Sequence, residues 1–253
     1  MIQIKKGYYI NLNYRVDRRE KIEIQLKKVG LDGIVERFSA VDGNSKFGQS
    51  VKCLPHTIEW YSVAKAALSS HRAVIQKAKE QNLENIMILE DDCLFYDRQY
   101  TSEYIKAHNF INWPEGLTVN SMDTINAALE QLENFPDWEI LFLGCTILPL
   151  EKNIPINLVA PNLGKINSAI SCHAYVVNNN AYDRLLDWSL KELNQPVFNS
   201  MMDVIWNGLK EKYAVYPHAV VQQPTGITDI GGQPGVGPLY WDHNFDRKLI
   251  KTY

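Results

Sequence analysis

The sequence predicts an α/β domain in which a mostly parallel central sheet is flanked by helices. Three observations lead there. Apolar runs and amphipathic segments alternate as strand, helix, strand, helix, strand through the first 92 residues. The third apolar run stops abruptly at Glu90-Asp91-Asp92, the strand end where ligand chemistry gathers in such sheets. Finally, 253 residues with 45% hydrophobic and 22% charged side chains suit one domain that buries a sizeable core.

Residues 8–12 are a short apolar run and predict the first strand. Asp17, with Glu20 three residues on, has the form of a capping box opening a helix. Ile22, Leu26 and Val29 share a face of that helix, and Gly30 stands where a C-cap belongs. Residues 35–40 predict a second strand ending in the turn signal Val41-Asp42-Gly43. Thr57 is placed to cap a longer helix whose inner face takes Val63, Ala67, His71, Val74 and Ala78. Residues 86–89 make the third strand.

Farther on, Ile125, Leu129, Leu132 and Phe135 mark an amphipathic helix, and residues 140–143 a strand closed by Gly144. Residues 171–177 read as a strand. Asn178-Asn179-Asn180 then opens a helix carrying Tyr182, Leu185, Leu186, Ser189, Leu190 and Leu193. A short helix over 204–209 and a late strand over 214–216 follow. Residues 224–238, crowded with Gly and Pro, form a loop: an ordinary exposed one, or a lid ordered by a ligand. It contains no GxxxxGK[ST] and is not a P-loop.

A net charge of −3 argues against a nucleic-acid partner held by counterion release. The N-terminus runs directly into a strand without signal-peptide features, and the longest apolar stretch, about residues 140–150, is too short to span a bilayer. Cys53, Cys93, Cys145 and Cys172 are widely spaced with no CxxC pair, which fits reduced thiols in a cytoplasmic protein.

Glu90-Asp91-Asp92 is the sharpest feature. Adjacent carboxylates at the end of a buried strand repel one another and resist desolvation. A divalent cation relieves that cost, and hard oxygen ligands suit Mn²⁺ or Mg²⁺. In extended backbone residues 90 and 92 point to one side, so Glu90 and Asp92 can face one ion while Asp91 points elsewhere. The plainer alternative is an acidic turn after a strand.

The segment Tyr9-Ile10-Asn11-Leu12-Asn13-Tyr14-Arg15-Val16-Asp17-Arg18-Arg19 resembles the opening of glycosyltransferase family 25, the lipooligosaccharide and collagen galactosyltransferase family. Further matches follow in order. They are Arg37-Phe38-Ser39-Ala40-Val41-Asp42-Gly43, Leu68-Ser69-Ser70-His71-Arg72 and the strand into the acidic triplet. Then come Asp137-Trp138-Glu139-Ile140-Leu141-Phe142-Leu143-Gly144, His173-Ala174-Tyr175-Val176-Val177, Asp203 at a helix start, and Gln223 through Thr228-Asp229-Ile230. The resemblance spans about residues 8–230. Asn13 and Thr228 depart from the family's usual Asp and Ser, and the segment before Asp137 is longer, so the acceptor is not carried over.

The resemblance implies a GT-A-like fold, a nucleotide-sugar donor such as UDP-galactose, a glycan or glycoprotein acceptor and a divalent metal. Residues 1–136 would form the nucleotide-sugar and metal half, and residues 137–253 the acceptor half. A cation bridging the donor phosphates stabilises the leaving group. Expected donor contacts are Asn11, Leu12, Arg15, Asp42, His71 and Asp91. Arg15 is preferred to Arg18 and Arg19 because it lies nearest the strand end. Asp42 reads equally as a turn residue, and His71 as a hydrogen-bonded core residue. Metal ligands are Glu90 and Asp92, with His243, or His218 in its place, completing the shell. For an inverting reaction the general base is Asp203 or, second, Asp229; either also suits a cap or turn. Two rivals stand beside this reading. One is a glycoside hydrolase, disfavoured because its carboxyl groups flank the sugar several ångströms apart. The other is a carbohydrate- or protein-binding module that has lost turnover.

Overall fold

Gly7–Asn11 forms strand β1, and every residue in it is buried. The computed structural model describes residues 2–43, 58–95, 98–99, 118–147, 156–195 and 202–222. After β1 come α1 (Val16–Lys28), β2 (Val35–Ser39), α2 (Ile58–Glu80), β3 (Asn85–Glu90), β4 (Cys93–Phe95), β5 (Arg98–Gln99) and β6 (Thr118–Val119). The second part holds α3 (Ser121–Leu132), β7 (Ile140–Ile147), β8 (Ile156–Ala160), β9 (Leu163–Ile166) and β10 (Ala169–Asn178). It ends with α4 (Asn179–Leu193), α5 (Met202–Trp206), β11 (Lys212–Val215) and β12 (Val220–Gln222).

Eight strands make one sheet in the order β2-β1-β3-β10-β7-β11-β9-β8. Parallel pairing joins β1 to β2 and β3, and β7 to β11. Strand β10 inserts antiparallel between β3 and β7, and β8–β9 close the far edge as an antiparallel pair. Because side chains alternate across a strand, the apolar runs supply both faces at once. Tyr8, Ile10, Ile86, Ile88, Phe142 and Tyr175 pack under α2, α4 and α5. Tyr9, Met87, Leu89, Leu141 and Val176 pack under α1 and α3.

Local signals set most helix ends. α1 closes as a Schellman motif: Gly30 takes φ +72°, Leu31 N–H donates to Leu26 O at 2.8 Å and Gly30 N–H to Lys27 O at 3.3 Å. Leu26 and Leu31, both buried, lie in the same core cluster. The start of α1 differs from expectation. Its N-cap is Arg15 with no side-chain cap, so the capping box does not form. Asp17 lies inside the first turn and accepts two hydrogen bonds from the Arg15 guanidinium, each 2.9 Å. Asn120 caps α3 and Asn178 caps α4 by accepting from backbone N–H groups of the first turn.

Strand β7 does not stop at Gly144 but runs on to Ile147. No helix of the described residues is long and apolar enough to cross a membrane.

Candidate active site

The carboxyl ends of the parallel strands β1, β2 and β3 open on one edge of the sheet, and a cavity of about 260 Å³ lies there. Leu12, Tyr14 and Arg18 come from the end of β1 and the start of α1, and Ala40, Val41, Asp42 and Gly43 from the end of β2. Glu90 ends β3 and Asp91 and Asp92 form the turn into β4, while Val63, Ala66, Ala67, Ser70 and His71 form a wall from α2. Gln222 reaches it from the end of β12. Two bonds fix the loop after β2: Ala40 N–H to Asn11 O at 3.0 Å, and Val41 N–H to Ser70 Oγ at 2.9 Å.

The three acids have different surroundings. Asp91 accepts from Asn11 Nδ2 at 2.7 Å and from Arg18 at 3.0 Å. Glu90 Oε1 lies 3.5 Å from His71 Nε2, and His71 Nδ1 lies 2.6 Å from the Tyr175 hydroxyl. Asp92 has Arg18 at 3.5 Å from Oδ2, but its Oδ1 is buried with no hydrogen-bond partner among the described residues. Burial, then the Glu90 charge and to a lesser degree Asp91, push the Asp92 carboxyl up to about 7, with Arg18 opposing. In the unfolded chain this carboxyl loses its proton near 3.8, so between these values the folded state holds more protons. Its contribution to stability is therefore present below about pH 4 and lost as pH rises through about 7. Denaturation of the metal-free protein across that range should show the decline, and Asp92→Asn should flatten it.

The model of glycosyltransferase family 25 (LPS biosynthesis protein) matches residues 4–201. The chain belongs to that family. Its α/β fold, with parallel strands at the site, is of the class the resemblance implied. No curated protein matched the sequence. A crystal structure of a glycosyltransferase involved in glycosylation of the major capsid of PBCV-1 is similar at 9% identity and TM-score 0.36, over 76% of this chain and 68% of that one. Mannose-1-phosphate geranyltransferase from Thermus thermophilus is similar at 10% identity and TM-score 0.36, over 84% and 74%. A197 from STIV is similar at 9% identity and TM-score 0.34, over 88% and 96%. Likenesses of this size add nothing to the family match.

Within this family 25 chain the cavity brings together Leu12, Asp42, His71, Glu90, Asp91 and Asp92 as expected. Asn11 does not line it. It is 1% exposed and acts as a brace, donating to Asp91 and accepting from Arg37 Nε at 2.9 Å. Arg15 is the main revision. Its guanidinium turns to Asp17 and it does not line the cavity, whereas Arg18 does. With the nucleotide diphosphate donor that the resemblance implies, Arg18→Ala should weaken binding about tenfold or more, given 1.5–3 kcal/mol for hydrogen bonds to charged groups, and Arg15→Ala much less. Titration calorimetry with UDP distinguishes the two.

His218 is 3% exposed with Nε2 3.7 Å from Cys145 Sγ, and it does not line the cavity. Cys93 and Cys145 are free and buried, while Cys53 lies outside the described residues. Asp203 is the second residue of α5, which begins at Met202. Asp229, His243, Thr57 and the loop 224–238 also lie outside the described residues. Among the described residues no three His, Cys, Asp or Glu side chains group to hold a metal, so Glu90 and Asp92 form part of a shell at most.

Sequence reasoning missed Tyr14, Ser70, Gln222 and Tyr175. Tyr14, Ser70 and Tyr175 lie within the family-like segments without being selected there as site residues. Gln222 arrives through long-range pairing of β12 with β4, for which one strand's sequence holds no signal.

Proposed function

We propose that this family 25 protein transfers a hexose, galactose or glucose, from a UDP-sugar to a hydroxyl of a glycan or protein acceptor, with Mn²⁺ or Mg²⁺ bound. The observation that carries the reading is Asp92: a half-buried carboxylate whose Oδ1 is buried with no hydrogen-bond partner among the described residues, beside Glu90 and Arg18, just past the carboxyl end of parallel strand β3. That donor set fits a hard divalent cation, because ionised oxygens lacking protein partners are what such an ion binds. Glu90 and Asp92 would hold it, and when bound it would supply Lewis-acid stabilisation to the leaving diphosphate.

The chain's own groups do the rest. Arg18, held by Asp91, keeps a cation at the cavity for phosphate oxygens. The apolar slot of Val41, Val63, Ala66 and Ala67 excludes water around the nucleoside, with Asp42 beside it as acceptor. Asp203 or Asp229 takes the acceptor's hydroxyl proton in an inverting displacement. In this reading residues 1–136 carry the donor and residues 137–253 the acceptor.

The test is a thermal-shift series with UDP, UDP-galactose and UDP-glucose, with and without Mn²⁺, followed by donor hydrolysis. A ligand at a hundred times its Kd should add about 2.7 kcal/mol of stability. Metal-dependent stabilisation with slow hydrolysis supports the proposal. Stabilisation with no hydrolysis or transfer supports a binding module, and no stabilisation by any uridine nucleotide sinks the donor assignment.

A further inference from the structure

Tyr175 stands behind the cavity wall on β10 with none of its surface exposed. Its hydroxyl is 2.6 Å from His71 Nδ1, and the two rings stack 12° from parallel with centroids 5.8 Å apart. Phe142 and Trp206 also pack on the phenol, with ring centroids at 6.4 Å and 6.1 Å. Packing therefore holds the hydroxyl in place as firmly as its hydrogen bond does. His71 is itself 1% exposed, and its other nitrogen, Nε2, faces Glu90 Oε1 at 3.5 Å.

A neutral imidazole carries one N–H and one acceptor nitrogen, and its tautomer follows from what each nitrogen faces. An ionised carboxylate offers acceptors only, so the hydrogen belongs on Nε2, toward Glu90. Nδ1 is then the acceptor, and the tyrosine hydroxyl donates to it. At 3.5 Å the Nε2–Glu90 contact is a charge–dipole attraction rather than a closed hydrogen bond, and it still favours one carboxylate orientation. That orientation matters because Glu90 shares the cavity with Asp91 and Asp92, whose charges push it away.

We propose that Tyr175 is a positioning residue. Its buried hydroxyl locks His71 in the Nε2–H tautomer, and through His71 it orients the Glu90 carboxylate in the cavity. The lock follows from the contacts of a neutral His71 with Tyr175 and an ionised Glu90, while its catalytic consequence rests on the transferase reading. Partners standing behind a site residue act this way in metal and acid–base sites, where their loss costs about 10–100-fold.

Ring-nitrogen NMR of the full chain, labelled at its histidines, tests the lock directly. The His71 signals are those missing from His71→Gln. The Nε2–H tautomer is expected in the wild type, and both tautomers in Tyr175→Phe. In Mn²⁺-dependent hydrolysis of UDP-galactose or UDP-glucose, Tyr175→Phe should lower kcat about tenfold with KM held within about twofold. Added to His71→Gln, Tyr175→Phe should lower kcat no further, since the path it acts through is gone. An Nδ1–H tautomer in the wild type, or kcat losses that multiply in the double variant, overturns the proposal. A wild type that shows the lock but turns over no UDP-sugar supports the lock and removes the transferase reading instead.

Discussion

Asp92→Ala should lower UDP-sugar turnover by about a thousandfold, about 4 kcal/mol of transition-state stabilisation, while leaving the protein folded. The two halves of that expectation share one cause. Asp92 lies in the turn after a buried strand, its Oδ1 without a hydrogen-bond partner among the described residues, and Glu90 and Asp91 crowd it with like charge. A carboxylate so placed is costly to the folded chain and useful only when something positive arrives. Removing it takes away the cost along with the use. At pH 8, where the wild-type carboxyl is ionised, Asp92→Ala should melt no lower than the wild type, and higher if the cavity relaxes. Turnover and melting temperature measured on one preparation decide the matter. A variant that loses activity and also melts well below the wild type would make Asp92 a structural anchor, and the cation proposal would lose its support.

How legible was this site in the sequence? Glu90 and Asp92 were, because adjacent carboxylates ending a continuous apolar strand carry a desolvation cost that a bound cation relieves. The choice among Arg15, Arg18 and Arg19 was not. It turns on where α1 begins. With the helix starting at Val16, Asp17 lies inside the first turn and draws Arg15 to itself, leaving Arg18 to reach Asp91. A capping box over Asp17 and Glu20 would have given a different register, and propensity alone does not distinguish them.

The face of α2 shows the same sensitivity. His71, Val74 and Ala78 were placed on its inner stripe correctly, yet the sheet is also covered by Ala64, Leu68 and Ile75, one step around the helix. Val63 and Ala67 are half-buried because they line the cavity. A helix that packs on a sheet with one side and walls a pocket with another carries an apolar arc wider than one stripe. Periodicity centres on the whole arc. Strands β8 and β9 were not foreseen at all: Leu163–Ile166 is four residues long and contains Gly164, too short for a pattern.

Gly144→Ala is the substitution expected to cost most in stability, and its effect should reach the cavity from outside it. A Cβ at this position would lie 1.8 Å from Val220 O and 2.7 Å from His173 Nε2. The first obstacle is backbone, so no side-chain rotation relieves it. Here the chain entering β12 crosses β7, with Ala219 N–H donating to Leu143 O at 3.0 Å. Beyond the crossing β12 pairs with β4, setting Gln222 opposite Cys93, the residue after Asp92. The glycine that looked like a strand terminator is thus the gap through which a late strand reaches the acids. Filling it should destabilise by about 3 kcal/mol or more, at or above the upper end of usual overpacking costs. Gly33→Ala, where a Cβ meets nothing within 4 Å among the described residues, is the control and should unfold like the wild type. Denaturant midpoints measure the first effect. UDP affinity measured well below the midpoint measures the second, and it should fall because Gln222 has moved. Equal midpoints for the two variants would mean that β12 yields easily, and that Gln222 is held at the cavity by something other than its crossing of β7.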